Sequence, residues 1–325
     1  MDELPLVEGA TGEAVRDLQR RLTAAGHAPP PSELGRFGPG TERAVRAFQG
    51  GRGLHETGVC DGPTWAALVE AGYRLGDRLL YLRSPMLRGD DVGELQRRLG
   101  ALGFDAGRVD AIFGPLTEDA IKDFERNAGL TTDGVCGRDV IAELERLGAR
   151  GEGASVAGVR ERERLLQAPR ALHGWRVAVG DTGGLGLVAD AVARILQDAG
   201  ATVAVLHHPD PSVQAAEANQ FGAEVFLGMA ADDQGPCWLA FYSTAGFESA
   251  GGRRLAELAV DMLESHGALD VEAAKGMRLP ILRETRMPAV MCHLGPPPRV
   301  VATSATLARG LAEVLGHWAA APVEG

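Results

Sequence analysis

The sequence predicts an α + α/β chain: two small three-helix repeat domains followed by an α/β domain with a mostly parallel sheet. Three observations carry that prediction. The first half contains a block that recurs at an offset of 76 to 77 positions, a Gly-rich polar stretch interrupts the chain near residue 150, and from Trp175 onward short β-branched runs alternate with amphipathic helices. At 325 residues and 45% hydrophobic content, the chain is long enough for two or three packed cores.

The repeat is read directly from the residues. Val15-Arg16-Asp17-Leu18-Gln19-Arg20-Arg21-Leu22 returns 77 positions later as Val92-Gly93-Glu94-Leu95-Gln96-Arg97-Arg98-Leu99. Phe37-Gly38-Pro39 returns at an offset of 76 as Phe113-Gly114-Pro115, and Gly58-Val59-Cys60 as Gly134-Val135-Cys136. The one-residue change falls between Gly26 and Phe37, where Pro29-Pro30-Pro31 marks a loop able to absorb it. Each copy reads as three short helices, with copy one spanning 1–76 and copy two 77–148. Val15, Leu18 and Leu22 form the buried stripe of the first helix, and Gly26 stops it. Thr41 is expected to cap the second helix over Ala44, Val45 and Phe48, and Thr117 to do the same over Ala120, Ile121 and Phe124. Asp61-Gly62-Pro63-Thr64 opens the third, with Trp65, Leu68 and Val69 inward. Ile141 and Leu144 stand in for Trp65 and Leu68 in the second copy.

These strings, G-x-x-V-x-x-L-Q-x-x-L, then F-G-x-x-T-x-x-A-V-x-x-F-Q, then G-L-x-x-x-G, resemble the three-helix peptidoglycan-binding domain. Residues 12–68 carry nearly every hallmark and residues 89–144 most of them. The resemblance implies a shallow groove for cell-wall stem peptides. The motif residues themselves specify core and turns, so the binding activity comes by analogy.

Residues 149–173 are expected to be a linker with a solvated connector helix from Val156 to Gln167, and residues 174–325 the α/β domain. Arg176-Val177-Ala178-Val179 opens the sheet. A helix follows from Leu185 to Ala199 with Val188, Val192, Ile195 and Leu196 inward, and Gly200 ends it. Further strands are read at Thr202–Leu206, Glu224–Met229, Trp238–Tyr242 and Pro288–His293, and long helices at Gly251–Ser265 and Thr303–Ala319. The stretches Gly200–Val205, Ala218–Leu227, Gly251–Ala256 and above all Leu279–Val290 resemble the zinc-dependent N-acetylmuramoyl-L-alanine amidases.

That resemblance implies a zinc held by two His and one Glu, with a further Glu as general base. At the family's first His position, in a D-P-G-H-G-G turn, this chain has Gly183; at the second it has Ala230; and His293 follows Pro288-Ala289-Val290 where the base is expected. For the Glu ligand only Asp181 stands near the expected place. The reading is therefore an amidase-like pseudoenzyme with no catalytic residue, no metal and no cofactor. Asp181, His207 and His293 remain as candidate binding residues of a residual cleft at the carboxyl ends of the strands. Cys292 beside His293 is rejected as a nucleophile, because neighbours on a strand face apart. His27, His55, His173, His266 and His317 are read as solvent-facing.

Composition narrows the partners. A net charge of −11 argues against nucleic acid and anionic lipid. No run of the chain is long and apolar enough for a membrane span, and MDELPLVEG lacks a basic and apolar leader. Cys60, Cys136, Cys237 and Cys292 are too sparse for a disulfide scaffold. The expected location is the cytoplasm. Taken with the degenerate site, this resembles the mycobacterial cytoplasmic-regulator type of amidase-like protein. That type implies, as partner, an enzyme of peptidoglycan-precursor synthesis or the lipid-linked precursor machinery, with a muropeptide or UDP-linked precursor as small ligand. Two alternatives stand beside it, an active amidase with nonstandard metal ligands and a simple wall-binding protein.

Overall fold

The computed structural model describes residues 4–147, 156–233, 236–244, 246–267 and 269–323. The polar linker stretch 148–155 and the side chain of His266 lie outside the described residues. The chain divides into two compact units, Met1–Val159 with Ala245–Phe247, and Arg160–Thr244 with Glu248–Gly325.

The first unit holds both repeats. Helices α1 (Glu13–Ala24), α2 (Pro39–Gly51) and α3 (Gly62–Glu70) form the first; α4 (Asp90–Ala101), α5 (Pro115–Ala128) and α6 (Arg138–Leu147) form the second. Their cores are the expected stripes. Val15, Leu18, Leu22, Val45 and Phe48 bury completely in one, as do Val92, Leu95, Leu99, Ile121 and Leu144 in the other. Trp65 and Val69 are only partly buried, and Arg21 covers the Trp65 ring. Each repeat is closed by a backbone bridge to its buried cysteine, Leu6 to Cys60 and Leu80 to Cys136.

The threonines depart from expectation. Gly38 and Gly114 occupy the N-cap positions with Pro39 and Pro115 following, so Thr41 and Thr117 sit inside the first turn, fully buried. There they serve a polar hub under the helix. The Gln19 amide donates to Thr41 Oγ1 (2.9 Å) and to the carbonyls of Glu33 (2.8 Å) and Arg36 (3.1 Å), while its oxygen accepts from Gly35 N (2.8 Å). Gln96 repeats the arrangement with Thr117 (3.1 Å), Ile112 O (3.0 Å) and Ala111 N (2.9 Å).

In the first repeat a distant carboxylate caps α2. Glu33 accepts from Gly40 N (2.9 Å), Thr41 N (2.7 Å) and Thr41 Oγ1 (2.9 Å). Desolvation raises the Glu33 pKa, but these donors and the Arg36 charge outweigh it and hold the carboxyl below its ordinary value of 4.5. A depressed carboxyl contributes stability above its unfolded value and loses it as pH falls through the folded one. Amide protection at Gly40 and Thr41 should therefore drop on acidification below 4.5, and Glu33→Gln should flatten that drop. Unchanged pH dependence in the variant would refute the cap's role.

The second unit contains α7 (Val156–Gln167) from Arg160 on, then β1 (Arg176–Asp181), α8 (Gly186–Asp198), β2 (Thr202–His207), α9 (Pro211–Phe221), β3 (Val225–Ala231), β4 (Trp238–Thr244), β5 (Phe247–Glu248) from Glu248 on, α10 (Ala250–His266), β6 (Lys275–Met277), α11 (Pro280–Glu284), β7 (Ala289–Leu294) and α12 (Pro297–Ala320). The sheet order is β2-β1-β3-β7-β4-β5, with β6 also on β4. Strand β1 pairs in parallel with β2 and β3, β3 with β7 and β4 with β6, whereas β4 runs antiparallel to β7. Val177, Val179, Leu227 and Val290 point to one face, where they join Val188, Val192 and Leu196 of α8 and Leu311, Leu315 and Trp318 of α12 in one core. The opposite face carries α9 and α11.

Four expectations change here. Ile195 is 38% exposed, and Ala189 and Ala193 bury in its place. The last helix begins at Pro297 rather than Thr303, because prolines in a first turn lose no helical hydrogen bond. Helix α9 has no counterpart among the expected elements: it lacks an apolar stripe and is fixed instead by its Asp210 cap (2.8 Å to Ser212 N), Pro211, and Gly222 at φ +69°. Finally, α7 is solvent-facing along most of its length, as expected, but is docked at two residues. Its Glu161 is buried, accepting from Ser249 Oγ (2.8 Å) and Gly251 N (3.1 Å) at the start of α10, with Leu165 packed beside it.

Candidate functional site

Strand order brings the carboxyl ends of β2, β1, β3 and β7 side by side, and register decides which side chains meet. Asp181 pairs with His207 on β2 and with Met229 on β3, and Met229 pairs with Cys292. Those four share the face of the main core. Ala230 pairs with His293, which pairs with Trp238, so these three share the opposite face. The candidate residues therefore split. Asp181 and His207 come together, and His293 stands apart from them on the far side of the sheet.

Asp181 is a structural group. Its Oδ1 accepts from Gly183 N (3.0 Å) and Leu185 N (3.1 Å), closing the turn that leads into α8. Its carbonyl accepts from the buried Gln214 amide (2.8 Å), which also holds His208 O (2.6 Å). His207 lies between two carboxylates, with Nδ1 3.9 Å from Asp181 and Nε2 3.3 Å from Asp190. A ring whose two nitrogens face two separate acids is not arranged to put both acids on one ion. His208 turns to its own loop, accepting from Asp210 N at 3.0 Å.

On the other face, the Trp238 indole lies flat on the His293 imidazole, centroids 3.7 Å apart and planes 7° apart. Trp238 Nε1 donates to Asp232 (3.0 Å), which anchors the indole over the ring. Beside the pair, Ala230 offers a methyl group at the second ligand position. At the first, Gly183 has φ +151°, and a Cβ built there would meet nothing within 4 Å. The space at Gly183 is open, but its positive φ disfavours any side chain there, and the position supplies no donor. A zinc site of two His and one Glu does not fit this set: Gly183 and Ala230, where the resemblance expects the histidines, have no side-chain nitrogen or oxygen, and Asp181, nearest the expected Glu, is engaged in its own turn. Among the described residues no group of three His, Cys, Asp or Glu could hold a metal ion.

The cysteines offer no nucleophile either. Burial pushes the Cys292, Cys60 and Cys136 thiols up to about 12, so each is a thiol at neutral pH. Among the other histidines, His55, His173 and His317 are exposed, whereas His27 is half-buried edge-on against Phe48. Trp238, Asp232, Asp190 and Gln214 escaped sequence reasoning. Trp238 alone carried a signal, an aromatic at the head of a strand, but its partner depends on the antiparallel β4–β7 pairing.

The model of the family described as "Putative peptidoglycan binding domain" matches residues 11–68 and 88–144, once per repeat. The chain is 32% identical over 327 aligned positions to the N-acetylmuramoyl-L-alanine amidase CwlM of Mycobacterium tuberculosis, covering 88% of this chain and 80% of that protein. It is 33% identical over 163 positions to the amidase CwlL of Bacillus licheniformis, covering 44% of this chain and 45% of that one. Among solved structures, an N-acetylmuramoyl-L-alanine amidase from Clostridium difficile 630 aligns with 45% of this chain and 97% of its own, at 17% identity and a TM-score of 0.37.

Proposed function

Since the chain belongs to the N-acetylmuramoyl-L-alanine amidase family that includes CwlM, we propose that it is a member that binds and does not cut. In this reading it regulates or scaffolds peptidoglycan-precursor synthesis, in the cytoplasm. Its partner is an enzyme of that synthesis or the lipid-linked precursor machinery, and its small ligand is a muropeptide or UDP-linked precursor. One observation carries the proposal. Gly183 and Ala230 stand where the family resemblance expects the two histidine ligands, while His293, where it expects the base, lies under Trp238. Without a Lewis acid or an activated water, a neutral imidazole has no nucleophile to deprotonate at a peptide carbonyl.

Retained binding architecture supports the other half of the reading. Both repeats keep complete cores and complete Gln19 and Gln96 hubs, so their surfaces are held in fixed shape. Titration calorimetry of the whole protein with UDP-linked muramyl pentapeptide tests the ligand, and affinity capture from native cells tests the protein partner. The proposal expects saturable binding in the first or a precursor-synthesis enzyme in the second. Failure of both would end it.

A further inference from the structure

The two repeats supply an internal control at one buried position. In the first, Gln49 is 1% exposed. Its oxygen accepts from Gly58 N (2.9 Å), and its amide donates to Val59 O (2.9 Å), Thr57 Oγ1 (3.1 Å) and Thr64 Oγ1 (2.9 Å). The turn it braces has Gly58 at φ +75°.

Seventy-six positions on, the residue is Glu125, also 1% exposed, and the turn recurs with Gly134 at φ +73°. Glu125 Oε2 accepts from Gly134 N (3.0 Å), as Gln49 Oε1 does from Gly58. The other oxygen, Oε1, occupies the role of the Gln49 amide nitrogen, and it has no hydrogen-bond partner. Sequence explains why. Thr57 and Thr64 are replaced by Asp133 and Val140, and the Val59 carbonyl by that of Val135. The surroundings that receive an N–H in the first repeat thus offer acceptors and a methyl group in the second. An ionised carboxylate has nothing to donate there, whereas a carboxylic acid carries one O–H.

We propose that the Glu125 carboxyl is a proton-binding site that takes over the donor role of the Gln49 amide, making the second repeat pH-sensitive where the first is not at this position. The acid donates from Oε1 toward the Asp133 carboxylate or the Val135 carbonyl, so a single proton ties α5 to the turn before α6. Desolvation, followed by the Asp133 charge and its carboxyl contact, raises the Glu125 pKa against the lowering effect of the Gly134 and Asp133 amides. The charged groups around it are few. Lys122 lies one turn away on α5, paired with Glu118 at 2.9 Å, and both pack on Gly134. The buried Cys136 thiol follows on the bridge, and the α4 charges Asp91 and Arg98 that act on it are paired with Arg78 and Glu94.

The sign follows from linkage. A raised carboxyl binds its proton more tightly in the folded state, so stability is full below the unfolded Glu value of 4.5 and falls as pH rises until the folded group has ionised. This is opposite to Glu33. The test is amide hydrogen exchange of the whole protein across pH 5 to 8, corrected for intrinsic rates. Protection of α5 and of residues 134–136 should fall by up to about tenfold per pH unit over the titrating range. In Glu125→Gln the fall should vanish and protection at the upper pH should rise. Asp133→Thr, which restores the residue of the first repeat, should weaken the fall. The infrared carbonyl band of a protonated carboxyl, lost in Glu125→Gln, gives a readout independent of stability. The proposal is overturned if wild type and Glu125→Gln share one pH profile, or if no protonated-carboxyl band distinguishes them at pH 5.

Discussion

Replacing Trp318 with alanine should cost the second unit about 3–5 kcal/mol, the range for a large aromatic removed from a packed core. Trp318 is completely buried on α12, edge-on to Trp175 at 5.2 Å, and its indole nitrogen donates to Gly251 O at 2.8 Å. Three losses coincide. The cavity cannot be filled from α10 without moving the helix start that Glu161 and Ser249 hold. The aromatic pair is broken, and Gly251 O is left without the indole donor. Since a domain of this size is stable by roughly 5–15 kcal/mol, the variant should fold with a strongly lowered denaturation midpoint. Near-ultraviolet circular dichroism against denaturant measures it. A loss under about 0.5 kcal/mol, the size of a surface substitution, would contradict the packing described.

Gln19→Ala should be nearly as severe for the first repeat. The amide makes four hydrogen bonds, to Thr41, to the Glu33 and Arg36 carbonyls and from Gly35 N. Its loss strands backbone groups that face away from water, and each unsatisfied group costs about 1–3 kcal/mol. A repeat of this length has only a few kcal/mol in hand, so exchange protection across α1 and α2 should collapse while the second unit is unaffected. Gln96→Ala should transfer the same effect to α4 and α5. Retained protection in either variant would mean that water replaces the amide and the hub is not structural.

The architecture was legible where local pattern and burial agree. Val15, Leu18 and Leu22 announce a helix face by spacing alone, and Val177, Val179 and Leu227 announce buried strands by their β-branched and apolar runs. At the site the sequence supports expectations only at Gly183 and Ala230, where a motif fixes what should stand there. The surroundings of those positions could not be read from it. The Trp238 roof over His293 depends on β4 running against β7, and the separation of His207 from His293 depends on β1 and β3 lying between β2 and β7 in register. Capping by Glu33 and docking by Glu161 join residues far apart in sequence, so no window of neighbours reveals them. Glu125 stands where the first repeat has Gln49, but the meaning of that difference needed the Gln49 network beside it.

The proposed loss of hydrolysis is tested most directly by one assay on the purified full-length protein: zinc content after metal loading, read together with release of stem peptide from muropeptides. No stoichiometric zinc and no release above a blank are expected. One bound zinc per chain, with stem peptide set free and lost again on chelation, would contradict the proposed loss.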